Sequence, residues 1–282
     1  MKKYQHMAIL IVFLFLAGIL AFTQEGKTDR ATVRFSDPSK PGFIEASVYN
    51  GSVIIRGYEG KEVIIEAKLR EKLVSEEKEE EEENEKARGM RRILRSTGTG
   101  LEVEEEENVM DISVSSMKQT VDLTIQVPFN TSMEVGSYNN GEVQIENVTG
   151  EIEANNYNGK VTLRGISGSV VAHTYNGEVT VSFKQITPDK PMSFSTWNGD
   201  VDVTFPAMVK ADVKMKSEMG DVYSDFDIQV KQAPQKAVED EREEGGGYKI
   251  SFEKAVYGSI NGGGPEFQFK TYHGDIFIRK AK

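Results

Sequence analysis

Gly141, Gly150, Gly159, Gly168 and Gly177 stand nine residues apart. A short fixed period constrains the fold more than any other feature of this chain. It means that one small unit repeats, and that each unit buries its apolar face only against its neighbours. The glycines alternate in type. Asn140-Gly141, Asn158-Gly159 and Asn176-Gly177 form one series, eighteen residues apart, while Gly150 and Gly168 follow Thr149 and Ser167. The Asn-Gly series continues less regularly in Trp197-Asn198-Gly199, Met219-Gly220 and Tyr272-His273-Gly274, and is foreshadowed in Tyr49-Asn50-Gly51. Two residues after these glycines stands a β-branched side chain: Val53, Val143, Val161, Val179, Val201, Val222 or Ile276. Ile145, Leu163, Val181, Val203 and Ile278 follow two residues later. That alternation is the period of a strand with one buried face. Asn and Gly suit the corner because both tolerate positive φ.

The pattern predicts an all-β chain. A single-stack β-solenoid with coils of about eighteen residues would stack equivalent residues at the inter-strand spacing of about 4.8 Å. An antiparallel β-meander or sandwich would instead gather the two kinds of turn at opposite edges. The solenoid is favoured, because it places Tyr157, Tyr175 and Trp197 in one ladder beside Asn158, Asn176 and Asn198. The segment Ile186 to Pro191 would then bulge from one corner, as solenoid insertions do.

The ends divide the chain further. Lys2 and Lys3 precede an uncharged run from Ala8 to Phe22, and small residues flank Phe22, so residues 1–23 read as a secretory signal with a cleavage site before Gln24, the alternative being an uncleaved N-terminal anchor. Residues 24–130 read as N-terminal strands interrupted by a charged segment, 71–97, that includes five consecutive glutamates from Glu79 to Glu83. Ala87, Met90 and Leu94 share one helical face there, which predicts a helix ending before Gly98. Strands and helix together would cap one end of the repeat. Residues 131–282 form the repeat itself, with a mobile surface loop expected about 233–247, where Pro234, an acidic patch and three glycines fall together.

Composition narrows the partners. The net charge of −11 opposes nucleic acid and anionic lipid. With no cysteine there is no disulfide, so stability must come from the core. The mature chain has no apolar stretch long enough to span a membrane. An exported protein is therefore expected, in the periplasm, at the cell surface or secreted.

The stretch Val121-Asp122-Leu123-Thr124-Ile125-Gln126-Val127-Pro128, the serial Asn-Gly-x-Val units, and the ending from Gly262 to Ile276 together resemble the bacterial putative-adhesin domain family of otherwise unknown function. The similarity runs from about Phe43 to Lys282. It implies an exported, solenoid-like strand repeat and no catalytic residues. The glutamate run and the loop near Gly245 depart from that pattern.

Catalytic patterns are sparse. His173 and His273 are the histidines left after the signal; both read as turn residues, and a structural role is favoured. Two histidines without cysteine cannot close a usual zinc site. Neither a Gly-x-Ser-x-Gly elbow nor a phosphate loop is present. Asp200, Asp202, Asp221 and Asp275 follow corner glycines, and stacking could bring them to the separation of a glycosidase pair. Solvated acids are the plainer account. No metal, cofactor or catalytic residue is assigned. Tyr157, Tyr175 and Trp197 are the candidate ligand-binding surface, through rings that would either stack on a sugar or partner, or pack on one another. The reading is a non-catalytic cell-envelope protein presenting a repetitive β surface. Its partner would be an envelope glycan, a protein or another copy; the alternatives are a polysaccharide-acting enzyme using the corner aspartates and a self-associating scaffold joined through coil ends.

Overall fold

The computed structural model describes residues 28–70, 98–114, 116–231, 237–240, 248–251 and 254–282. The expected signal and the expected helix within 71–97 lie outside the described residues. Among those described, every regular element is a strand. In chain order these are β1 (Thr28–Arg34), β2 (Gly42–Asn50), β3 (Val53–Tyr58), β4 (Glu62–Leu69), β5 (Leu101–Glu106), β6 (Val109–Val114) and β7 (Val121–Pro128). Next come β8 (Thr131–Asn139), β9 (Val143–Glu146), β10 (Thr149–Asn158), β11 (Val161–Asn176), β12 (Val179–Ile186), β13 (Met192–Asn198) and β14 (Val201–Phe205). The last are β15 (Ala211–Ser217), β16 (Val222–Ser224), β17 (Gln229–Lys231), β18 (Ala237–Asp240), β19 (Tyr248–Ser251), β20 (Val256–Ile260), β21 (Glu266–Thr271) and β22 (Ile276–Lys280).

Twenty of these strands form one hydrogen-bonded sheet folded into two faces; β18, inside the segment expected as a loop, pairs separately and antiparallel with β19 just beyond it. The first face runs β5–β6–β2–β8–β10–β11–β13–β21–β15–β20–β17. The second runs β1–β4–β7–β3–β9–β11–β12–β14–β22–β16. β11 belongs to both, because its first half lies in one face and its second half in the other. The middle strands pair in parallel, and consecutive coils cross from face to face at the Asn-Gly corners. This is a β-solenoid, not a meander.

Alternation drives the packing. Val53, Val143, Val161, Val179, Val201 and Ile276 stack in register and are fully buried, as are Ile55, Ile145, Leu163, Val203 and Ile278. From the opposite face Ile44, Met133, Ile152, Phe194 and Phe267 meet them in one continuous core. Phe194 and Phe205, from opposite faces, touch edge-on with centroids 6.0 Å apart.

Stacking order departs from chain order at both ends. The β2–β3 coil lies between the coils β6–β7 and β8–β9. The last coil in sequence, β21–β22, lies between β13–β14 and β15–β16. Antiparallel strands then close the stack: β5 on β6, β4 on β7 with β1 beyond it, and β20 on β15. β5 carries Glu102, Glu104 and Glu106 on its outward side, charges that oppose pairing with another chain.

Candidate functional site

One corner of the solenoid carries three parallel ladders, each built from one position of the repeat. The innermost is polar. Ser137, Asn156, Thr174, Thr196, Thr271 and Ser217 each donate to the carbonyl of the corner glycine in the adjacent coil, over 2.7–3.1 Å. The glycine is required on two counts. Gly159, Gly177, Gly199 and Gly274 have φ between 145° and 155°, and a Cβ at each would collide with the neighbouring glycine's carbonyl.

The second ladder is amide. Asn158 Nδ2 donates to Asn139 Oδ1, Asn176 to Asn158 and Asn198 to Asn176, each at 2.7 Å. All donate in one direction, so the dipoles reinforce one another. His273 completes the row with Nδ1 3.0 Å from Asn198 Oδ1. An amide oxygen only accepts, so Nδ1 carries the proton. In the β8–β9 coil it is Asn139 that accepts from Asn158, while the adjacent Asn140 donates to Asn50 Oδ1 at 3.3 Å. Asn140 is an extra residue, with φ 59°, so the step from β8 to β10 is nineteen residues while that from β9 to β11 is eighteen.

The outermost ladder is aromatic, and it is longer than the sequence suggested. Tyr157, Tyr175 and Trp197 stack as expected, at 5.0 and 5.8 Å with interplanar angles of 6° and 7°. Tyr49 and Tyr138 extend the stack on one side, at 5.2 and 4.6 Å, and Tyr272 on the other, at 4.4 Å. Six rings thus cover about 24 Å at the inter-strand spacing. The signal for the site was a tetrapeptide, Ser/Thr/Asn–aromatic–Asn/His–Gly, obscured at Tyr138 by the inserted Asn140, at Tyr272 by His273, and at Tyr49 by Val48 in its first position. Tyr157 and Trp197 keep 40% of their surface exposed and Tyr175 36%. Their flat faces are covered by adjacent rings, so what the interior rungs offer to solvent is a row of edges.

The corner carboxylates have structural partners. Asp200 Oδ1 accepts the Asp275 N–H, and Asp275 Oδ1 accepts the Asp221 N–H, both at 2.8 Å. Each acid caps the backbone of the next coil in space. The charges of Asp221 and then Asp275 push the Tyr223 hydroxyl above its ordinary range. Asp202 accepts from Arg279 Nε at 2.8 and 2.9 Å. His173 is not at a turn: it lies within β11, on the outer surface of the first face, with Nδ1 2.9 Å from Ser195 Oγ. Partial burial, and then the charge of Lys270, lowers its pKa. Among the described residues no group of three His, Asp or Glu side chains is placed to hold a metal ion.

The family model described as Toastrack DUF4097 matches residues 132–279, more than half of the chain. The chain belongs to this family. The match begins in β8 and takes in five of the six rungs. No curated protein matches the Toastrack chain. Among solved structures, it is similar to a putative cell adhesion protein from Clostridium sporogenes, 13% identical, with 90% of this chain and 100% of that one covered at a TM-score of 0.47. It is also similar to a putative adhesin from Bacteroides fragilis, 14% identical, covering 90% and 97% at a TM-score of 0.39. Neither likeness bears on what this chain binds. Among the described residues, no helix is long and apolar enough to cross a membrane.

Proposed function

We propose that this Toastrack protein is a non-catalytic, exported component of the cell envelope that presents a rigid, repetitive β surface for binding or assembly. The observation that carries this reading is the triple ladder. The ring repeats in six successive coils, backed in most of them by an amide and an inner polar side chain, so one contact that fits a rung is offered again about 4.8 Å further along. Weak contacts multiplied along a stiff surface give avidity without a deep pocket. The acids that could have served hydrolysis are engaged in capping and ion pairing, which favours a binding role over a catalytic one. An envelope glycan or an envelope protein fits such an edge.

The test is pull-down of the purified protein on isolated envelope material, with Tyr157, Tyr175 and Trp197 replaced by alanine singly and together. Binding that falls progressively with each lost ring supports the reading. Undiminished binding by the triple variant removes the ladder as the contact surface. Glycan hydrolysis that disappears in Asp200→Asn would overturn the non-catalytic assignment.

A further inference from the structure

The first face carries a second pattern, away from the corner. The strand registers place Glu104, Asp111, Glu45, Glu134 and Glu153 side by side in one outward column across β5, β6, β2, β8 and β10. All five are exposed, at a spacing of about 4.8 Å. The same column continues through Val171 in β11, Ser193 and Gln268 to Lys214 in β15 and Lys231 in β17. The neighbouring column ends on Lys270 and Lys216. Locally, Lys216 pairs with Glu218, Lys231 with Asp212, and Lys214 lies over the Tyr257 ring, and Asp212 and Glu266 stand side by side in the flanking outward column, so the lysine end is mixed in charge, whereas the column's five acids stand together with no lysine or arginine among them.

Adjacent like charges repel, and a sheet face with this arrangement is relieved by an opposite charge laid across it. The face carries that opposite charge at its other end. Val171, 41% exposed, occupies the middle position of the eleven-strand row. Turning a copy end for end about an axis parallel to the strands at β11 sets Glu45 opposite Lys214 and Glu104 opposite Lys231, and brings Glu134 within one column of Lys270. Val171 then meets its own copy, an apolar contact at the centre of the row. The other two-fold arrangement, with the stacks running the same way, sets acid on acid and is disfavoured.

We propose that this face is a self-complementary interface on which a second copy of the chain docks end for end. The proposal deepens the surface-presentation reading, on which it rests, by naming one partner. Eleven strands at about 4.8 Å by about six residues at 3.3 Å make a face of roughly 1,000 Å², above the ~800 Å² per partner of a stable interface. The net charge of each copy is screened beyond about 8 Å at physiological salt, while facing side chains lie inside that distance. A closed two-fold contact also ends the assembly at a dimer and leaves the ladder edge free.

Sedimentation velocity of the purified protein at physiological salt tests this, with Glu45→Lys and Lys214→Glu prepared separately. A concentration-dependent dimer is expected for the wild type. Each variant alone should dimerise at least about tenfold more weakly, because both symmetry-related contacts become repulsive. An equimolar mixture of the two variants should recover the dimer, since every facing pair is then opposite in sign. Recovery also shows that both variants are folded, and Glu134→Lys mixed with Lys270→Glu repeats the test at a second contact. A wild type that stays monomeric, or a dimer unmoved by either variant, overturns the proposal. Envelope binding is measured separately, so a monomer that still binds envelope would refute the dimer and leave the surface reading intact.

Discussion

Replacing Gly177 by alanine probes the corner that organises all three ladders. Its φ of 155° lies in a region reserved almost wholly for glycine, where an L side chain costs about 1–3 kcal/mol. The new Cβ would also meet the Gly159 carbonyl, lying only 2.6 Å from its carbon. To relieve that contact the coils must separate, which weakens the Gly159 N–H bond to the Asn176 carbonyl and the Thr174 bond to the Gly159 carbonyl, both 2.8 Å. Two such bonds contribute about 0.5–1.5 kcal/mol each. Against this, alanine lowers the entropy of the unfolded chain by about 0.4–1 kcal/mol. The net expectation is a loss of about 2–5 kcal/mol. Gly136 is the control: it lies in β8, is not at positive φ, and a methyl group there would meet nothing within 4 Å. Gly136→Ala should leave stability unchanged or raise it by up to about 1 kcal/mol. Urea denaturation of both variants, followed by far-ultraviolet circular dichroism, measures the difference. A Gly177→Ala variant within about 0.5 kcal/mol of Gly136→Ala would refute the argument that close coil approach demands glycine.

Three further perturbations bear on the same corner and its face. Asn156 Oδ1 is buried without a hydrogen-bond partner, while the equivalent Thr174 and Thr196 have no second polar atom to satisfy; Asn156→Thr should therefore stabilise by about 1 kcal/mol, read as a higher urea midpoint, and a lower midpoint would contradict it. Tyr175→Ala removes two stacked contacts at once and should cost about 1–3 kcal/mol, whereas Tyr175→Phe keeps the ring and should change stability by less than about 0.5 kcal/mol. Acid should act through two groups that NMR titration can follow. His173 titrates below 6.5, chiefly because of burial, so the unfolded chain takes the proton more readily and stability declines as pH falls below 6.5, levelling once the folded imidazole is also protonated. Asp37 is held at about 2 by hydrogen bonds from Ser39 and Lys40, so its contribution is complete above 3.8 and is lost as pH falls towards 2; a titration near 3.8 in the folded protein would remove that contribution.

Much of the site was legible because its causes are local. Val143, Val161 and Val179 announce buried strand positions by alternation alone, and Asn158-Gly159 and Asn176-Gly177 announce corners through the backbone conformations those residues allow. Stacking like upon like followed from the constant spacing between them. Where the spacing broke, the reading slipped: Asn140 stood in for Asn139, and Tyr138 dropped out of the ladder. Trp197 was found across a step of twenty-two residues because its Asn-Gly survived the insertion after Ile186.

Only the tertiary structure decided which coil lies against which. Nothing near Ile276 in sequence signals that its strand slips between β14 and β16, or that β2 and β3 slip between coils formed about 65 to 90 residues later. Each inserted coil carries the same alternation as its neighbours, so pattern alone accepts any order. In the order adopted, antiparallel strands close the stack and the phenylalanines around Phe205 pack together toward its far end. The acidic column belongs to the same class of fact. Glu45, Asp111 and Glu153 are distant in sequence, each an ordinary outward residue of its own strand. They become one charged line only because parallel registers, closed by long-range hydrogen bonds, set Asp111 beside Glu45 and place Glu134 between Glu45 and Glu153.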